Sequence, residues 1–221
     1  QDAAPAGATC HNCARTGQRA GRPCGDPFGA KAHHAWRCSR GGGLKARSGD
    51  LETAWERIHA DCGYRVTRQP PVPAWDRWHW HCASCGTGGA AAARPAAGAA
   101  CARCGTALTT RREEAILDLE IQRADCPRVF LDVTVRYSVP GDAAGLRAAA
   151  ARDGAVCRDA EADKHQRYPA GRAPWRMVPL ALETGGRHGQ AALRHLRRLA
   201  RDQAQLLAGD DAAAAAAAAS A

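Results

Sequence analysis

The chain has 221 residues and a formal net charge of +9. Its length suits one domain of ordinary size with a smaller appendage, and 31 basic against 22 acidic residues indicate a polyanionic partner such as nucleic acid. No apolar run reaches the length of a membrane span, and residues 1–10 lack a signal-peptide core, so we predict an intracellular protein with no membrane partner. Because the first residue is Gln1 and not Met, we expect a fragment of a longer sequence.

The spacing of apolar residues predicts alternating helices and strands. The first helix has Ser48 or Asp50 as its N-cap, and Pro70 and Pro71 end the strand that follows it. We expect the Ala-rich residues 208–221 to form a frayed or disordered tail, since they have nothing to pack against. The predicted elements are a helix at 48–62, strands at 64–68, 114–122 and 129–137, a helix at 142–168, a strand at 176–183 and a last helix at 188–207.

Four cysteines have the spacing C-x-x-C-x15-C-x-x-C. Each C-x-x-C turn directs two thiolates at a point about 2.3 Å from a zinc ion, and two such turns complete a tetrahedron. The loop between the pairs has no apolar anchor of its own, which favours closure by a metal over four free or disulfide-bonded cysteines. Because all four ligand positions are thiolates, the predicted zinc is structural. Its ligands are Cys82, Cys85, Cys101 and Cys104.

A second cysteine cluster lies near the start of the sequence. Cys10 and Cys13 form another C-x-x-C pair, and several residues compete for the remaining ligand positions. We interpret the site as a zinc knuckle of Cys10, Cys13, His34 and Cys38, with His33 and Cys24 as alternatives. The predicted organisation is a zinc knuckle and linker at 1–47 and a main domain at 48–207, which a zinc-ribbon insert interrupts at 72–112.

Two acidic residues interrupt apolar strands. Asp118 and Asp132 are both predicted on the polar face of the sheet, and in antiparallel neighbouring strands their carboxylates would lie close together. Like charges at that distance need a cation, and oxygen ligands favour Mg²⁺. The alternative is a pair of ordinary carboxylates on a half-exposed sheet.

Several segments resemble a known family. They are CGDPFGAKAHHAWRC, LDVTV, Lys164 four residues before Tyr168, and VPLALETGG. They resemble the restriction-like (PD-(D/E)xK-like) endonuclease region at the C-termini of retrotransposon reverse-transcriptase proteins, which a Cys-Cys-His-Cys knuckle precedes. The resemblance covers residues 10–70 and 113–205. It implies an α/β restriction-endonuclease-like core of order α-β-β-β-α-β plus a C-terminal helix, with the zinc ribbon inserted between the first two strands.

The resemblance also implies a function, which is metal-dependent cleavage of DNA in a retroelement, and a nuclear location. Asp118 and Asp132 would hold Mg²⁺ or Mn²⁺. Lys164 would orient the water or offset charge in the transition state, because Thr134 occupies the position of the family's lysine. The accessory candidates are Glu52, Glu56, Thr134 and Glu183. The alternative, which Thr134 favours, is an inactive nucleic-acid-binding or protein-interaction remnant of the same fold.

Two further patterns suggest contacts with nucleic acid. Arginines on one face of the last helix would follow phosphates, or they form an ordinary solvated face. Trp75, Trp78 and Trp80 are interleaved with Arg77 and histidines, and they suit either stacking on bases or the small core of the zinc insert. The predicted phosphate-binding arginines are Arg194, Arg197, Arg198 and Arg201.

Overall fold

The computed structural model describes residues 43–124, 126–137, 147 and 149–219, with side chains from residue 48 to residue 209. The protein is a mixed α/β protein. The predicted knuckle of Cys10, Cys13, His34 and Cys38, with its alternatives His33 and Cys24, lies outside the described residues. In chain order the helices and strands are α1 (Gly43–Asp61), β1 (Arg65–Arg68), β2 (Arg77–His81), β3 (Gly88–Ala91), β4 (Thr109–Glu113), β5 (Leu119–Arg123), β6 (Cys126–Arg136), α2 (Ala155–Arg167), β7 (Arg176–Glu183) and α3 (Gln190–Ala219).

The strands form two sheets. A four-stranded sheet has the order β1-β5-β6-β7, and a three-stranded sheet has the order β3-β2-β4. The chain divides into two compact units, of which the first contains residues 1–63, 133–162 and 179–221 and the second contains residues 64–132 and 163–178. None of the helices in the described part of the chain is both long enough and apolar enough to span a membrane.

The first unit packs α1 against α3. Cys62 Sγ contacts Leu199 O at 3.4 Å, and His59 Nε2 lies 2.7 Å from His195 Nε2 in the buried interior. Gly63 ends α1 in the left-handed region at φ 75°, where a Cβ would also come within 3.1 Å of Leu206 Cδ1. Glycine therefore suits this position for both its conformation and its size.

The second unit has a buried cluster at the point where the insert leaves the larger sheet. The backbones of the entering and leaving segments pair, with Val72 N donating to Ala115 O at 2.7 Å and Gln69 N donating to Asp118 O at 2.9 Å. Residues 114–118 lie outside a strand, although 114–122 is the predicted strand, and β5 begins at Leu119. The members of the cluster are Val72, Trp75, Ala115, Leu117, Phe130, Tyr168 and Met177.

Two helix boundaries differ from the predictions. α1 begins at Gly43, and Ser48, a predicted N-cap, lies inside the helix with its hydroxyl donating to Glu52 at 3.3 Å. α3 continues through the Ala run to Ala219, where we expect a frayed or disordered tail from residue 208. Because alanine has the highest intrinsic helix propensity, the run extends a helix that is already nucleated, without needing a packing partner.

Candidate functional sites

The four cysteines of the insert converge on one point. Their Sγ atoms all lie within 4.8 Å of one another, with 3.4 Å between Cys82 and Cys104 and 3.5 Å between Cys85 and Cys101. A tetrahedron with metal–sulfur bonds of about 2.3 Å has edges of about 3.8 Å. The cluster is therefore geometrically compatible with zinc held by four cysteines, and all four are free of disulfide bonds.

The two cysteine pairs lie in turns of the same structure. In the first, Cys82 N donates to Thr87 O at 2.8 Å and Gly86 N donates to Cys82 O at 3.0 Å; the second repeats these bonds at residues 101–106, both at 2.8 Å. Gly86 and Gly105 share a φ of 72°, which glycine adopts without strain. The sequence carries a signal for this likeness that our motif analysis missed, because CASCGT at 82–87 recurs as CARCGT at 101–106.

The threonines of this repeat assist the thiolates. Cys85 Sγ lies 3.2 Å from Thr87 Oγ1, and Cys104 Sγ lies 3.4 Å from Thr106 Oγ1. Hydrogen bonds from the Thr87 hydroxyl and N–H lower the pKa of Cys85 to about 6, and those from Thr106 lower the pKa of Cys104. Because the thiolate is the form that binds metals, the threonines favour the metal-binding form of these two cysteines.

Asp118 lies immediately before β5, and Asp132 lies on β6, the antiparallel neighbour of β5. The pairing of β5 with β6 sets Leu119 opposite Leu131, and one further step of this register sets Asp118 opposite Asp132. Cβ atoms at directly opposed positions lie about 4.5–5.5 Å apart. Asp118 is a bend residue, and its backbone carbonyl accepts a hydrogen bond from Gln69 N.

Asp132 is buried, which corrects the prediction that it faces a polar surface. Asp132 is 5% exposed, and Phe130, which lies two residues earlier on the same face of β6, is 2% exposed. Tyr168, just beyond the end of α2, covers this face and donates a hydrogen bond to Asp132. Burial raises the pKa of Tyr168 to about 12, and the charges of Asp132 and Asp118 add to the rise, so both carboxylates act on the hydroxyl.

Lys164 reaches the same carboxylate from the last turn of α2. Its Nζ lies 2.8 Å from Asp132 Oδ2, and the side chains are 23% and 6% exposed. The Lys164 ammonium is therefore the partner of the buried oxygen Oδ2. Carboxylate oxygens are the ligands that a hard cation such as Mg²⁺ prefers.

Side chains of the three-stranded sheet and of the end of α2 bond to one another, and we call this set the brace: Arg77, His79, Glu113, Arg167 and Arg172. Arg167 donates to Trp75 O at 2.7 Å and to Glu113 Oε1 at 3.1 Å, and His79 bonds the other oxygen of Glu113. The hydrogen bond from His79 and the charge of Arg167 lower the pKa of Glu113.

Three more bonds cross this contact. Arg77 donates to Gln166 O at 2.9 Å, Trp75 Nε1 donates to Pro169 O at 3.1 Å, and Arg172 donates to Asp76 O at 3.1 Å. The insert therefore bonds Gln166 and Arg167, which lie between Lys164 and Tyr168, and Pro169, which follows Tyr168. Sequence analysis did not find the brace, because most of its acceptors are backbone carbonyls, which have no sequence signature.

The predicted accessory residues all belong to the first unit. Glu52 is 7% exposed and accepts from Ser48, while Glu56 and Thr134 are half-buried. Glu183 Oε2 lies 4.0 Å from Arg187 Nε, so this carboxylate has an arginine partner. These four remain predictions as accessory groups.

The predicted phosphate-binding arginines lie on α3. Arg194, Arg197 and Arg201 are exposed, and Arg198 is half-buried with its Nε 3.8 Å from Asp202 Oδ2. Three of the four therefore keep a charged group in solvent.

Neither a family model nor a curated protein matches the chain.

Proposed function

We propose that the protein is a divalent-metal-dependent DNA endonuclease of retroelement origin, with a restriction-endonuclease-like core and a structural zinc ion at Cys82, Cys85, Cys101 and Cys104. The observation that carries the proposal is the 2.8 Å approach of Lys164 Nζ to the buried carboxylate of Asp132. A lysine from the following helix thereby compensates for Thr134 at the usual lysine position of the family that the sequence resembles.

The connectivity supports the proposal. With the insert set aside, the chain runs α1, β1, β5, β6, α2, β7 and α3, and the larger sheet has its strands in the same sequential order. This is the order of helix, three strands, helix, strand and final helix that the resemblance implies. Thr184 N donates to Arg136 O at 2.9 Å, so the ends of β6 and β7 lie side by side, as a helical crossover between parallel strands requires.

Each residue of the site has a role in this proposal. Asp118 and Asp132 would hold Mg²⁺ or Mn²⁺, which activates water and stabilises the charge of a phosphoryl transition state when bound. Lys164 supplies a fixed positive charge beside the reacting phosphate. Tyr168 stays protonated at neutral pH because its pKa is about 12, and its hydroxyl holds one orientation of the Asp132 carboxylate.

The test is nicking of supercoiled plasmid DNA in Mg²⁺ or Mn²⁺ by wild type, Asp118→Asn, Asp132→Asn and Lys164→Met. Each substitution should lower the rate by about 100-fold or more, as loss of a positioned catalytic group does. Glu114→Gln is the matched control, since Glu114 is an exposed carboxylate of the same unit and should be dispensable. Equal nicking by wild type and Asp132→Asn contradicts the catalytic assignment.

Thr134 favours a second candidate, a nucleic-acid-binding protein of the same fold that has lost its chemistry. In that case DNA binding survives Asp118→Asn and Asp132→Asn, and neither wild type nor variant cleaves. The nuclease proposal predicts the same survival of binding in the variants but cleavage by wild type.

A further inference from the structure

The three-stranded sheet presents two tryptophans on one face. Trp78 and Trp80 are two residues apart on the central strand β2, so they share a face, which we call the indole face. Both are half-buried, and neither is among the described members of the buried cluster that contains Trp75. The structure thus divides the three tryptophans, since Trp75 is core whereas Trp78 and Trp80 lie at the surface.

The opposite face of β2 is already engaged. Arg77 bonds Gln166 O, and His79 bonds Glu113, which in turn binds Arg167 at the end of α2. Because alternate side chains of a strand point in opposite directions, the indole face is directed away from the end of α2.

The cross-strand neighbours of the indole face on β3 are small. Trp80 is paired with Gly89 on β3 and Thr110 on β4, and Trp78 is paired with Ala91 on β3 and Arg112 on β4. A Cβ on Gly89 would lie 2.8 Å from Cζ2 of Trp80, so the indole ring lies directly over the glycine backbone. Glycine is therefore required here by close approach, and it allows one ring to lie along the sheet.

The charge around the indole face is positive. Arg94 Cζ lies 5.1 Å from the ring centroid of Trp78, and Arg112 occupies the position opposite Trp78 on β4. Arg112 is partly neutralised by Asp76, whose Oδ2 accepts from its Nε at 2.7 Å. Residues 77–113 as a whole contain five arginines and a single acidic residue, Glu113. Aromatic rings beside arginines form the combination that binds bases and phosphates together.

We propose that the indole face binds a single-stranded stretch of nucleic acid, with bases stacked on Trp78 and Trp80 and phosphates near Arg94 and Arg112. Residues two apart on a strand are separated by about 6.7 Å, so an extended single strand can offer one base to each indole. A duplex keeps the faces of its bases inside the stack and cannot do so. This inference deepens the proposed nuclease by naming the form of nucleic acid that it holds, and it rests on that proposal only for the class of partner.

Binding is tested in the full zinc-loaded chain with Asp132→Asn and no added Mg²⁺, so that cleavage plays no part. Labelled oligo(dT) and oligo(rU) of about 16 nucleotides, and a duplex of the same length, are titrated by fluorescence anisotropy while tryptophan emission is recorded. The variants are Trp78→Ala, Trp80→Ala, Trp80→Phe and Arg94→Gln. Ile116→Ala is the matched control, because Ile116 is a 52% exposed apolar residue of the same unit. Equal zinc content in all variants shows that the site is folded.

Each Trp→Ala substitution should weaken single-strand binding by about 5- to 150-fold, with Trp80→Phe and Ile116→Ala close to the parent. Oligonucleotide should quench tryptophan emission in the parent, and quenching should decrease in both Trp→Ala variants. The comparison of oligo(dT) with oligo(rU) identifies DNA or RNA as the natural strand. Unchanged binding in both Trp→Ala variants overturns the inference, as does a duplex that binds as tightly as the single strands. Failure of plasmid nicking by wild type would count against the nuclease and leave these binding results intact.

Discussion

The ion pair between Lys164 and Asp132 makes a quantitative prediction about stability. At 2.8 Å and an effective dielectric constant of about 20, the attraction amounts to about 6 kcal/mol, which opposes the cost of removing the carboxylate from water. Lys164→Met removes the attraction and leaves that cost. Because Lys164 is 23% exposed, we take the lower end of the range for a broken buried pair, about 3 kcal/mol of lost unfolding free energy.

Asp132→Asn should cost less, about 1 kcal/mol, because the amide oxygen still accepts from Tyr168 and the ammonium of Lys164 can reach water. The double variant should then be more stable than the sum of the single effects implies, by about 2 kcal/mol. Urea unfolding of the four proteins in the presence of zinc measures this cycle. Gln166→Met introduces the same side chain at an exposed position of α2 and should have little effect. Strict additivity of the two substitutions would refute the reasoning.

Three other substitutions test the two units. Cys101→Ser should lower the zinc content by one equivalent per chain, and an unchanged zinc content would contradict the four-cysteine site. Burial, with the charges of Glu183 and Glu161, raises the pKa of Cys157 from 9.0 to about 11. The Cys157 thiol therefore stays protonated to a higher pH in the folded state than in the unfolded chain, so stability falls as the pH rises from 9.0 to about 11. The loss is about 2 kcal/mol near pH 10.5, and unfolding curves of Cys157→Ala should lack it. Burial lowers the pKa of His59 below 6.5, so protonation favours the unfolded chain and stability falls in acid. His59→Gln should lose less stability than wild type between about pH 7 and about pH 5, and equal losses would assign the acid effect to other groups.

Local patterns explain which features were predictable from the sequence. The alternation of apolar residues marks the strands that become β5 and β6, and the C-x-x-C spacing marks the sulfur cluster, because both signals lie within a few residues. The antiparallel pairing of β5 with β6, which the prediction for Asp118 and Asp132 assumed, is present in the structure, while their role as metal ligands stays a prediction.

The burial of Asp132 could not be predicted in the same way. A period of two shows that a residue alternates with apolar neighbours, but it does not show what covers the second face of the sheet. Tyr168 covers that face, and it lies 36 residues further along the chain. The brace is also non-local, since Arg167 and Arg172 bond to carbonyls of residues 80 to 96 positions earlier.

The brace changes how the insert should be viewed within its fold. An insertion between two strands can usually be deleted if a short loop joins the two strands instead. Excision of residues 76–114 would here remove Glu113 and the acceptors at Asp76 and Ala92, leaving Arg167 and Arg172 without most of their partners. The hydrogen bonds that hold the end of α2 therefore depend on the insert. A form of this fold without the insert would need other contacts to hold Lys164 beside Asp132.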